Sequence, residues 1–171
     1  MKASDTLWII GGGLSVARYV HLVKGHSLGI NQAGFYFPVD YCFWMDRQWY
    51  DKNREKVHRY PFAKWTCDMQ PYPEDVNQLE VQVKSSGAGA LYLALRLGYK
   101  KIYLLGYDHS SVGGKSHWHD DYTRITLSPQ SYERWLPDYY AIKLMADQAG
   151  VQIWNTNPHS RLTVFPTFVN S

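Results

Sequence analysis

The chain has 171 residues, of which 45% are hydrophobic and 19% charged, a globular composition that excludes a disordered chain and predicts one domain, 1–171. Its net charge of +3 suits a phosphate-bearing ligand but is too weak to argue for nucleic acid. No apolar run reaches the ~18 residues of a membrane span, and MKASDTLWIIGGG is too short for a signal peptide, so a cytoplasmic protein with no membrane partner is expected.

Thr6–Ile10 (TLWII) reads as a buried strand that ends at Gly11-Gly12-Gly13. Val16–Lys24 has helical spacing and stops at Gly25, a C-cap residue. Short strands follow at Ser27–Asn31 and Tyr41–Met45, the second without alternation, as expected when both faces are covered. Arg47–His58 is polar enough for an exposed helix, and Lys64–Asp68 reads as a strand. Met69–Asn77, with Pro71 and Pro73, is the clearest loop. Leu79–Lys84 alternates as a strand should. Ala88–Leu97 is a strong helix before Gly98, and Lys101–Leu105 a strand. His109–Asp121 is a polar loop, Ser131–Ala149 a helix that Pro137 can break, and Val151–Trp154 the last strand. Strands alternating with helices predict an α/β fold, a mostly parallel sheet with helices on both faces. Ligands of such sheets bind outside the carboxyl ends of the strands.

The residues just after each strand are therefore the candidate site. Gly11, Gly12, Gly13 and Ser15 open a helix, and their N–H groups suit a phosphate, although the same run makes a plain strand–helix turn. Ser85, Ser86 and Gly87 form a second anion-friendly helix start. Asn31 and Asp46 follow neighbouring strands and can hold ribose hydroxyls, a base edge or a metal, or cap turns and helices. After Leu105 come Asp108 and His109, then His117-Trp118-His119-Asp120-Asp121. One reading makes His117 or His119 a general base with Asp108 as an orienting group. The other gathers Asp108, His109, His117, His119 and Asp120 around Mg or another divalent ion. The polar turn Asn155–Ser160 lies at the same edge.

Seven Trp, fourteen Tyr and six Phe exceed what a small core hides completely. Some rings must line a pocket or an interface between copies of the chain. Cys42 and Cys67 lack redox or zinc spacing and read as reduced core thiols.

Ser85–Asp108, SSGAGALYLALRLGYKKIYLLGYD, resembles a stretch of the bacterial family-42 sialyltransferases and of the related group of 6-hydroxymethylpterin diphosphokinase-like proteins and motility accessory factors. Gly11–Ser15 and Asn31 are similar to the Gly-rich loop and second-strand Asn of those families, and Asn157-Pro158-His159-Ser160 resembles the sialyltransferases' turn after the last strand. The resemblance implies a Rossmann-like sheet binding a nucleotide across its strand ends; for the sialyltransferases it implies CMP-sialic acid and no metal. Gly12 and Leu14 replace that family's Asn and Pro, and Asp46 its Asn. Ser110 and Ser116 stand where it has tyrosines, and Glu133 near its catalytic His. His117 resembles the Thr-His of the diphosphokinase-like group.

The leading expectation is a transferase using a nucleotide-activated donor, most simply a nucleotide sugar, with an acceptor of unspecified class and no required cofactor. The alternatives are a metal-dependent diphosphokinase or phosphohydrolase, and a non-enzymatic nucleotide-binding or assembly module.

Overall fold

The computed structural model describes residues 4–121 and 127–169. Seven strands form one sheet, all parallel, in the order β5-β4-β3-β2-β1-β6-β7. They are β1 (Thr6–Ile10), β2 (Ser27–Ile30), β3 (Tyr41–Trp44), β4 (Ala63–Thr66), β5 (Val76–Gln78), β6 (Lys101–Leu105) and β7 (Gln152–Asn155). The helices are α1 (Val16–Tyr19), α2 (Ala33–Tyr36), α3 (Arg47–Arg59), α4 (Ser86–Arg96) and α5 (Pro129–Gln148). This is the Rossmann-like α/β architecture that the alternation of elements predicts.

Side chains of a strand alternate between faces, and the core follows that period. Leu7 and Ile9 of β1, with Phe43 of β3, join α4 and α5 in the largest apolar cluster. Trp8 and Ile10 face the other way, onto Val16 and Ala33, while Cys42 and Trp44 meet Trp49, Tyr50 and Val57 of α3. Both faces are covered, so the central strands read as unbroken apolar runs. Most of the surplus aromatics stack on one another. Trp8, Tyr103 and Trp154 form a row across β1, β6 and β7 with ring centroids 4.4 and 5.0 Å apart, whereas Tyr36 and Tyr140 are more than half exposed.

The chain winds outward from β1 to β5, then returns through α4, which lies across β1, β2 and β3, to place β6 on the other side of β1. The strand order therefore reverses between β1 and β6. In open α/β sheets ligands bind outside the carboxyl ends of the strands at such a reversal.

Several elements differ from their expected form. The helix expected over Val16–Lys24 keeps one α-turn and tightens into a 3-10 turn at Val20–Leu22, which still packs on the same cluster. Among the described residues, Leu79–Lys84 forms no strand ladder beyond the bond of the Leu79 N–H to the Thr66 carbonyl. Its alternation is real, since Leu79, Val81 and Val83 pack inward, but no neighbour offers a hydrogen-bond ladder. The edge strand β5 instead uses Val76 and Asn77, from the end of the expected loop. The turn α2 was not expected. The helix α5 starts at Pro129, where a missing N–H costs nothing, and runs unbroken through exposed Pro137. Among the described residues, no helix is long and apolar enough to cross a membrane.

Candidate functional site

The glycine loop after β1 runs along the end of β6. The N–H groups of Gly11 and Gly13 donate to the carbonyls of Leu105 and Gly106, each at 2.8 Å. Two of the amides that the sequence offered to a phosphate are therefore used within the fold. The close approach requires glycine. A Cβ on Gly13 would lie 2.6 Å from the Gly106 carbonyl and 2.7 Å from the Asp108 carboxyl carbon.

The acidic group against Ser15 belongs to the protein. The Ser15 N–H donates to one oxygen of Asp108 at 2.8 Å. The Ser15 hydroxyl and the Asn157 amide, at 3.0 Å, donate to the other. Asp108 is 6% exposed, so its charge is held by these donors instead of by water. The turn after β7 secures it from the far side. Asn155 and Ser160 both donate to the Tyr107 carbonyl, at 3.2 and 2.6 Å, and the Arg161 N–H donates to the Asp108 carbonyl at 2.9 Å. Asp108 is therefore a positioning residue in this conformation: it fixes the start of α1 to the ends of β6 and β7.

The two Gly/Ser helix starts do converge on one place, with the Tyr107 ring between them. A Cβ on Gly11 would meet one edge of that ring at 3.4 Å, and a Cβ on Gly87 the opposite edge at 3.0 Å. The Tyr107 hydroxyl donates to the Gly87 carbonyl at 3.0 Å, and burial drives its pKa well above the ordinary phenol value. Ser85 caps α4 by accepting from the Ala88 N–H at 3.2 Å, and its hydroxyl also meets that of Tyr139. Ser86 and Gly87 form the first turn of α4, whose N–H groups no helix carbonyl can take.

The segment His117–Asp121 folds back over the glycine loop. Trp118 donates its backbone N–H to the Gly12 carbonyl at 3.0 Å and its indole N–H to the Gly11 carbonyl at 3.1 Å. These bonds lay the His117 imidazole on Gly12, where an added Cβ would come within 2.8 Å of its Cδ2. Burial, aided by nearby His119, pushes the His117 pKa down to about 4, so the ring is neutral at neutral pH. Burial also lowers His119, although Asp121 and Asp120 pull the other way. The His117 and His119 ring centroids are 5.5 Å apart. Beyond them, Gln32 donates to Asp121 at 2.7 Å and accepts from the Trp49 indole at 3.0 Å, tying the segment to α2 and α3.

The other expected residues are dispersed. Asp46 caps α3 by accepting from the Gln48 N–H at 2.8 Å. Asn31 adopts a left-handed backbone, φ 52°, and its buried Oδ1 has no hydrogen-bond partner among the described residues. Asp120 extends into solvent beside Lys115. His109 stacks on Tyr132 of α5 with Trp135 and Tyr139 at its edges. Asp108 thus faces Ser15 and Asn157 and His109 faces α5, while His117 and His119 neighbour each other over the glycine loop. Among the described residues no group of three or more His, Cys, Asp or Glu side chains is arranged to hold a metal ion.

Trp118, Gln32 and the clasp of Asn157 and Ser160 on Asp108 and Tyr107 are parts of the site that sequence reasoning passed over or left as turn residues. Asn157 and Ser160 carried a signal, lying directly after the last strand. Gln32 carried none.

No protein-family model, curated protein or solved structure matches the chain.

Proposed function

We propose that the chain is a transferase using a nucleotide-activated donor, most simply a nucleotide sugar, held over the carboxyl ends of β1 and β6. The observation that carries this reading is the meeting of three features at the reversal of strand order. They are the glycine loop, the first turn of α4 and a neutral imidazole laid on Gly12. The donor's phosphates lie against Gly12, Ser86 and Gly87, with Asp108 holding Ser15 and the loop in place. His117 takes the proton from the acceptor hydroxyl, whose oxygen bonds the sugar's anomeric carbon as the bond from that carbon to the phosphate oxygen breaks and the nucleotide phosphate leaves. A group with a pKa of about 4 is a weak base. Phosphate charge beside it favours the protonated ring and raises that pKa toward neutrality. The resemblance of Ser85–Asp108 to nucleotide-sugar transferases supports the same assignment.

Thermal shift with CMP, UDP, GDP, ATP and their sugars, with and without Mg, tests the reading. A ligand at 100 times its Kd adds about 2.7 kcal/mol to stability. The shift should vanish in Gly12→Val, and His117→Asn should abolish transfer while preserving donor binding. Failure of every nucleotide to shift the wild-type protein refutes the proposal.

A further inference from the structure

We infer that a cavity beyond the carboxyl end of β6, between His109 and the first turns of α5, binds a small hydroxylated molecule carrying one anionic group, and is the acceptor side of the site. The inference rests on the transfer reading only in calling this molecule the acceptor. The cavity holds about 200 Å³ and is lined by His109, Pro129, Tyr132, Glu133, Leu136 and Arg161. Pockets for drug-sized ligands run to roughly 300–1,000 Å³, so this one suits a single sugar ring or a smaller molecule.

Three independent features of its wall point to a ligand. His109 is only 8% exposed, yet its Nδ1 has no hydrogen-bond partner among the described residues, an arrangement that native folds avoid unless something satisfies it. The same residue holds a left-handed backbone, φ 51°, a conformation that costs a non-glycine residue energy and clusters at binding sites. Arg161 and Glu133 line one cavity with opposite charges, and neither forms an ion pair with another described residue.

The chemistry follows from these groups. The Arg161 guanidinium presents a planar fork that matches a carboxylate or phosphate. Glu133 accepts from hydroxyls. Tyr132, Leu136 and Pro129 offer an apolar wall to the carbon face of a sugar. Burial keeps His109 neutral, with its pKa pushed down to about 4, so its ring both donates and accepts one hydrogen bond. Asp108, immediately before it, joins the cavity to the glycine loop by accepting from Ser15.

Glucuronate, glycerol phosphate and neutral glucose are titrated against the whole chain by saturation-transfer NMR. At least one anion should bind saturably, with glucose about tenfold weaker or more, because a charge-assisted bond is lost. Preference for glucuronate identifies a carboxylate, and preference for glycerol phosphate a phosphate. Arg161→Gln, at an exposed position, should lower anion affinity about tenfold or more, and Arg59→Gln, at an exposed position on α3, should leave it unchanged. Anion binding without any nucleotide binding keeps the cavity and removes only the transfer reading. The inference is overturned if neither anion saturates by about 10 mM, or if Arg161→Gln binds as the wild type does.

Discussion

Replacing Asp108 by Ala removes the acceptor for three hydrogen bonds at once: those from the Ser15 N–H, the Ser15 hydroxyl and the Asn157 amide. A buried donor left without a partner costs about 1–3 kcal/mol. Ser15 and Asn157 are half-buried, so water reaches part of the gap and the low end applies. The sum is about 3 kcal/mol. For a chain of this length each kcal/mol moves Tm by about 2–4 °C, so the expected loss is about 6–12 °C. Asp108→Asn keeps one oxygen for Asn157 and the Ser15 hydroxyl but turns an N–H toward the Ser15 N–H. It should cost less, about 1–2 kcal/mol. Urea unfolding of both variants, with Asn157→Ala and the double variant, gives the coupling between the pair, expected near 1 kcal/mol. If Asp108→Ala unfolds within about 0.5 kcal/mol of wild type, the size of an ordinary surface change, Asp108 does not hold the loops together.

Gly87→Ala should destabilise by about 1–3 kcal/mol through overpacking, because its Cβ would lie 2.5 Å from the Tyr139 hydroxyl oxygen. Adding Tyr139→Phe, which removes that oxygen, should recover part of the loss in calorimetry; no recovery would locate the strain elsewhere. This contact makes Gly87 a poor probe of ligand binding and leaves Gly12, which faces only an imidazole edge, as the usable one. Stability should also fall with acid. His109 and His117 have folded pKa values near 4, below the unfolded value of about 6.5. The unfolded chain therefore binds more protons in that window, so stability is full above about pH 6.5 and is lost as the pH drops toward 4. Urea midpoints measured across the window should slope less in His117→Asn, and an unchanged slope would count against a buried neutral ring.

The sequence by itself determined the strands of the sheet centre and the helices α3, α4 and α5, because their apolar spacing, caps and breakers are local. TLWII, YCFW and KIYLL are apolar on both faces, and such strands belong to a parallel sheet under two helical layers. It also placed Gly11–Ser15 and the loop from Asp108 at the carboxyl ends of strands, and Ser85–Gly87 at the start of α4, since that follows from chain order alone. Tertiary structure decided what local pattern does not encode. Leu79–Lys84 alternates as well as any strand, but a ladder needs a neighbour, and Thr66 takes the Leu79 N–H and ends the pairing there. A single turn such as α2 has no period to read. Pro137 is tolerated because its solvent-facing turn loses one hydrogen bond that water replaces. At the site, the sequence listed the titratable groups, and only packing across distant segments apportioned them. Asp46 went to a helix cap, His109 to the aromatic wall of α5, and Asp108 to Ser15, 93 residues away. Each of these partners is fixed by where the chain returns in space, and a carboxylate or imidazole carries no mark of which donor will be waiting for it.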